Sequence, residues 1–234
     1  MILNMIALTW LAGFTAFLGA LLAKWEGSAE SANKQKLVHG VVAIGGGILL
    51  SAVMFALLPE ANNNLPVWAV ALAFMAGGVL FCLVDQWLAK QASQASQLLA
   101  MLLDFIPEAL SLGAMFAIKP EFGMLLALFI GLQNLPEGFN AFRELQGSKL
   151  SEKKRLVGFF LVAFIGPLAA LTGHWVLADY TEATAAIMAT ASGGILYLIF
   201  QDIAPQSTMP RYWTPPLGAV FGFIIGLLGN QLLG

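Results

Sequence analysis

The chain has 234 residues, 59% of them hydrophobic and only 10% charged. Soluble domains carry about 25% charged residues, so the composition excludes an ordinary soluble domain and indicates a polytopic membrane protein. The net charge of −2 supplies no basic field for nucleic acid, and the lone cysteine, Cys82, excludes an intrachain disulfide framework or a multi-cysteine metal centre.

The N-terminal run MILNMIALTWLAGFTAFLGALLAKW has no basic leading region and is about span length. It reads as a first transmembrane helix rather than a cleaved signal. A span needs roughly 20 mostly apolar residues. Eight runs qualify, at about 2–23, 39–59, 66–88, 97–117, 122–142, 156–178, 184–204 and 214–233. The connections between them are short, and no soluble domain fits anywhere. The expectation is a single transmembrane domain over residues 1–234, an all-α membrane protein of eight transmembrane helices in the lipid bilayer.

Orientation follows from Lys and Arg. With the N-terminus outside, the inner connections collect Lys24, Lys34, Lys36, Lys90, Arg143, Lys149, Lys153, Lys154, Arg155 and Arg211, leaving only Lys119 outside. That asymmetry is the positive-inside pattern, and it predicts both termini outside. Trp25, Trp87 and Trp213 then lie near the inner interface, and Trp68, Trp175 and Tyr180 near the outer one, as aromatic belts do.

Short internal echoes accompany the spans. GGILLSAVMFALLPEA in span two answers GGILYLIFQDIAPQS in span seven, and DFIPEA in span four answers QNLPEG in span five. The members of each pair cross the membrane in opposite directions, the signature of an inverted repeat, common in secondary transporters.

Spans four and five carry polar groups at membrane depth. Asp104 and Glu108 are i,i+4 neighbours on one helix face, and so are Gln133 and Glu137. At about 1.5 Å per residue, Glu108 and Gln133 both fall near the midplane. A charge there costs about 2.5–3.5 kcal/mol on insertion scales. No Lys or Arg lies in the middle of any span, which leaves protons or metal ions as the neutralising partner. Pro107 and Pro136 leave the carbonyls of Leu103 and Leu132 without helical partners. Such backbone is tolerated only against protein or a water-filled cavity, which suits a hydrated cation path. Gly131 and Gly138 permit close helix approach.

Other polar residues admit two readings. Asn134 and Asn140 line the same path or bond neighbouring helices. Ser111 is read as bonding back within its own helix. Glu60 at the outer end of span two attracts cations or caps a solvated helix end. Gln201 and Asp202 receive ions at the inner exit or stand at the interface, and Asp85 is read as interfacial. His39 and His174 are read as structural, and Met54 as packing rather than a soft ligand.

With QNLPEG as its most specific part, the sequence resembles the ZIP (Zrt/Irt-like) divalent-metal transporter family, in particular its prokaryotic branch. The resemblance covers nearly the whole chain: eight spans, LLPEA closing span two, P-E motifs in spans four and five, and GGILYLIFQDIAPQS in span seven. It implies a 3+2+3 inverted-repeat bundle, a metal site between spans four and five, and often a homodimer. The span-four motif departs from the family's usual H-N-x-P-E-G. Asp104 stands where His is usual, Phe105 where Asn is usual, and Gly166 where a Glu is common in span six. The segment KQASQASQ replaces an often His-rich intracellular loop. With two outer ligand positions lost, the expectation is one principal metal site of Asp104, Glu108, Gln133, Asn134 and Glu137. Carboxylate in place of imidazole hardens the site toward Mn²⁺ or Fe²⁺, although Zn²⁺ also binds carboxylates.

The expected function is therefore secondary transport of divalent metal ions (Zn, Mn, Fe, Co or Cd) across the cytoplasmic (inner) membrane, in the direction of uptake. The metal ion is substrate; no prosthetic group, enzymatic activity or nucleic-acid partner is expected. Protonation of the carboxylates would compete with metal, so low pH should weaken binding. No G-x-x-x-x-G-K-[ST] motif offers ATP drive. The alternatives are a proton-coupled carrier of another solute, with Glu108 and Glu137 as relays, and a non-transporting sensor or scaffold homologue. An intramembrane acid hydrolase built on Asp104 would need a second Asp at midplane depth, and none is there.

Overall fold

A computed structural model describes residues 1–26, 32–90 and 96–233. The expectations that rest on 27–31 and 91–95, including most of KQASQASQ, lie outside the described residues. The described chain is helical, apart from one isolated bridge between Met209 and Tyr212. An apolar chain in lipid must satisfy its backbone internally, and helices do this within each segment.

Eight helical rods follow one another. They are α1 (Ile2–Glu26), α2 (Ala32–Ala52, running on through Val53–Leu57 into Leu58–Asn64) and α3 (Val67–Lys90). Next come α4 (Ser96–Ile118) and α5 (Pro120–Glu144), joined through Lys119 alone. Then follow α6 (Glu152–Val162, Ile165–Thr172 and Gly173–Leu177), α7 (Thr181–Leu198, Ile199–Ile203 and Ala204–Gln206) and α8 (Leu217–Leu233). Seven rods are long and apolar enough to cross a membrane. α8 is apolar but has 17 residues, a little short of the ~20 of a typical span.

LLPEA does not close α2 as expected; the helix continues to Asn64. The reason is a π-helical turn at Val53–Leu57, where the Leu58 N–H bonds the Val53 carbonyl. A proline ring inside an α-helix collides with the carbonyl four residues back. One extra residue in the turn relieves that collision. α7 uses the same device: Ile199–Ile203 is π-helical, and the Ala204 N–H bonds the Ile199 carbonyl ahead of Pro205. In α6 the answer is different. The helix breaks at Ala163 and Phe164, whose N–H groups reach back three residues, just ahead of Pro167.

The rods pair through glycines. α1 lies on α5 through Gly19 and Gly138, and α4 on α6 through Gly113 and Gly173. α2 lies on α8 through Gly47 and Gly222, and α3 on α7 through Gly77 and Gly193. A Cβ at any of these eight would fall 1.8–2.2 Å from a facing carbonyl oxygen. Only glycine lets backbones approach so closely, and in lipid such packing replaces the hydrophobic drive. Exchanging α1 with α6, α2 with α7, α3 with α8 and α4 with α5 maps this set of pairs onto itself. The pairs assemble into two groups, α1/α4/α5/α6 and α2/α3/α7/α8. Trp25, Trp68, Trp87, Trp175, Tyr180 and Trp213 are all exposed near rod ends.

Candidate metal site

α4 and α5 carry their polar residues on facing stripes. Asp104, Glu108, Gln133 and Asn134 are buried, and Glu137 is half-buried. The Gln133 side-chain amide donates to Glu108 Oε2 at 2.6 Å, which fixes the register of the two helices. Asp104 lies close enough to both Glu108 and Glu137 for their charges to repel. Among the described residues no salt bridge reaches any of these three carboxylates.

The buried oxygens that lack a hydrogen-bond partner define the site further. Among the described residues these are Asp104 Oδ1, Ser111 Oγ, Gln133 Oε1, Asn134 Oδ1 and Glu137 Oε2. All five belong to α4 and α5. A buried acceptor without a donor costs about 1–3 kcal/mol, and more when charged, so five such oxygens on one helix pair concentrate an unmet demand for positive or donating partners. No group of three or more His, Cys, Asp and Glu among the described residues can hold a metal by itself. Two of the five unpartnered oxygens are amide oxygens, those of Gln133 and Asn134. Asn134 also turns its amide toward α1, donating to the Ala12 carbonyl at 3.0 Å.

A cavity of about 60 Å³ meets the stripes between the two helix groups, lined by Asp104, Glu137, Asn140, Asp202 and Gln206 among others. A single water needs about 10–15 Å³ measured in this way, so the cavity holds several waters or an ion with part of its shell. Val42, Asn140 and Gln206 are shared with a larger vestibule of about 610 Å³, which also has His39, Arg143 and Glu144 in its wall. The site thus communicates with the end of the molecule where the basic residues gather. At the other end Glu60 is neither an open cation lure nor a solvated cap. It is buried, accepts from Asn64 at 2.9 Å, and pairs with Lys119 at 3.2 Å.

Several sequence expectations change. Ser111 does not bond back within α4, although Thr9, Ser51, Thr190 and Ser192 all do so in their own helices. Asp85, read as interfacial, also accepts from the Tyr197 hydroxyl at 3.0 Å, joining α3 to α7. Leu103 and Pro107 line an apolar cleft of about 370 Å³ with Leu80, Phe81 and Ile187, and neither is among the residues lining the polar cavity. His39 Nδ1 meets the Gln206 carbonyl, a structural role. Met54, read as packing, is exposed rather than packed into the core.

Phe105 and Gly166 turn out to be one feature. A Cβ at Gly166 would fall 2.8 Å from Phe105 Cζ and 2.7 Å from the Thr9 carbonyl oxygen. A Cβ at Gly13 would fall 3.1 Å from the same ring carbon. The Phe105 ring is buried to 1% exposure and fills the space that a side chain at position 166 would need.

No protein-family model matches the chain. Over 138 residues it is 32% identical to the zinc transporter GufA of Myxococcus xanthus, an alignment covering 58% of this chain and 54% of that protein. The chain therefore matches about half the length of that curated relative.

Proposed function

We propose that the chain is a ZIP-type secondary transporter, taking divalent transition-metal ions across the cytoplasmic membrane in the direction of uptake. The observation that carries this reading is the concentration of buried, unpartnered oxygens on α4 and α5, two of whose bearers, Asp104 and Glu137, are carboxylates without a basic partner among the described residues. The similarity to a zinc transporter supports it. The self-consistent exchange of helix pairs supports an eight-span inverted repeat, with α8 as the eighth span; the distribution of Lys and Arg supports both termini outside.

In this reading Asp104, Glu108, Gln133 and Glu137 supply the principal ligands and Asn134 a further oxygen. The doubly charged ion offsets the mutual repulsion of the carboxylates. Gln133 plays two parts: its N–H holds Glu108 in place, and its free Oε1 is offered to the ion. The Phe105 ring beside Gly166 leaves no room for a second ion's ligands there, which favours a single site. The ion would leave through the cavity lined by Asn140, Asp202 and Gln206 toward the basic end. Relative movement of the two helix groups would then expose the site at the Glu60 end.

The test is uptake into proteoliposomes offered Zn²⁺, Mn²⁺, Fe²⁺, Co²⁺ or Cd²⁺ in turn. At least one ion accumulates with the native chain, and Glu108→Ala and Glu137→Ala each abolish that uptake. Transport of none of the five, or normal transport by both variants, overturns the reading.

A further inference from the structure

Ser111 is the one member of the unpartnered oxygen set that the ligand list above does not use. It is 1% exposed, so no bulk water reaches its hydroxyl. A serine in a helix ordinarily gives its proton to a carbonyl three or four residues back. Ser51 does so to Ile48 at 2.6 Å and Ser192 to Met188 at 2.8 Å, and both are buried as deeply as Ser111. Ser111 has the same local option, since Pro107 and Glu108 both retain their carbonyls, and does not take it.

Its position gives the free hydroxyl a use. Residues 104, 108 and 111 follow the i, i+4, i+7 spacing of a single helix face. Ser111 is about 4.5 Å further along α4 than Glu108 at about 1.5 Å per residue. α4 ends beside Lys119, which pairs with Glu60. Ser111 therefore extends the oxygen stripe beyond Glu108, toward the closed end and away from the Asp202 cavity.

We propose that Ser111 is a further metal-binding residue of the α4–α5 site, a neutral oxygen that takes the ion first when the site opens at the Glu60 end and hands it to Glu108. This rests on the metal-site reading above. A neutral ligand at the head of the stripe lets the ion exchange one water before it meets the carboxylates. Being an alcohol, it favours the same hard cations that Asp104 favours.

The test places a thiol at that point. In a chain with Cys82→Ala, so that no other thiol is present, Ser111→Cys is titrated with Co²⁺ and followed by absorbance and by uptake. The expected result is a thiolate-to-cobalt charge-transfer band that the Cys82→Ala parent lacks, with selectivity moved toward Cd²⁺. Ser111→Ala, which removes only the oxygen, raises the concentration for half-maximal uptake roughly tenfold, within the range for disturbing a metal's surroundings. If neither the band nor the shift occurs while the parent still transports Co²⁺ and Glu108→Ala does not, this assignment is wrong and the site stands without Ser111. If the parent neither binds nor transports any of the ions, the site reading falls, and this assignment falls with it.

Discussion

Asp104 carries a free carboxylate oxygen into the cavity wall, while its neighbour Glu108 is held by Gln133 at 2.6 Å. The two acids therefore differ in freedom: Glu108 is held, while Asp104 keeps one oxygen without a partner, and in the proposed site Asp104 is the one that adapts to the ion's radius. Replacing the adaptable one by imidazole softens the donor set without disturbing the Glu108–Gln133 pair. Asp104→His should raise Zn²⁺ uptake relative to Mn²⁺ by about tenfold, a change of about 1.4 kcal/mol in relative preference. Competition between the two ions in proteoliposomes measures it, and an unchanged ratio would show that Asp104 does not touch the ion. The paired acids and the amide were legible from spacing alone, because i,i+4 spacing and depth are properties of a helix. Ser111 was not: its back-bond was the ordinary expectation, and only its surroundings reveal that the bond is unmade. The tie between Phe105 and Gly166 was equally hidden. Each was visible as a departure, but their contact joins positions 61 residues apart.

The helices themselves are shaped by where small residues and prolines fall. Glycines at Gly19 and Gly138 let α1 and α5 touch backbone to backbone, with a Cβ at either landing 2.0–2.2 Å from a carbonyl oxygen. Asn134 reaches the Ala12 carbonyl only because that approach is so close. Gly138→Ala should therefore cost about 1–3 kcal/mol as an overpacking change and should loosen the seating of Asn134 as well. A lowered unfolding temperature in detergent, with weaker uptake at saturating metal, is the expected outcome; Gly158→Ala, which meets nothing within 4 Å, is the control. Eight apolar runs were countable in advance, since span length is set by the bilayer. The π-helical turns at Val53–Leu57 and Ile199–Ile203 were not, because a proline ordinarily signals an end. Both turns begin six residues before their proline, at Pro59 and Pro205. That match is a firmer echo between α2 and α7 than the shared letters were.

At the scale of the molecule, the two ends of the helix bundle differ. One end has a vestibule of about 610 Å³ communicating with the carboxylates. The other is closed by buried side chains such as Leu112, Met115, Phe116 and Leu125. A cavity lies where α2 and α7 face α4 and α5, and the proposed alternating access would use movement of one group against the other. The backbone contacts lie within the groups, and a rocking motion would leave them intact.

Lys119 stands in the single-residue link between α4 and α5, and Glu60 belongs to α2. Their ion pair is thus a stitch between the two groups at the closed end, 3.2 Å long, with the lysine half exposed. Only its lysine end reaches solvent; the glutamate end is buried. In the proposed transporter this stitch has to part when the site opens at the Glu60 end, and salt reaching the lysine weakens it. Lys119→Gln should accordingly leave the ion preference unchanged while making a cysteine placed at Ser111 more reactive toward a membrane-impermeant thiol reagent added from the Glu60 side. Unaltered reactivity would mean that the pair merely decorates a closure made by the apolar side chains beneath it.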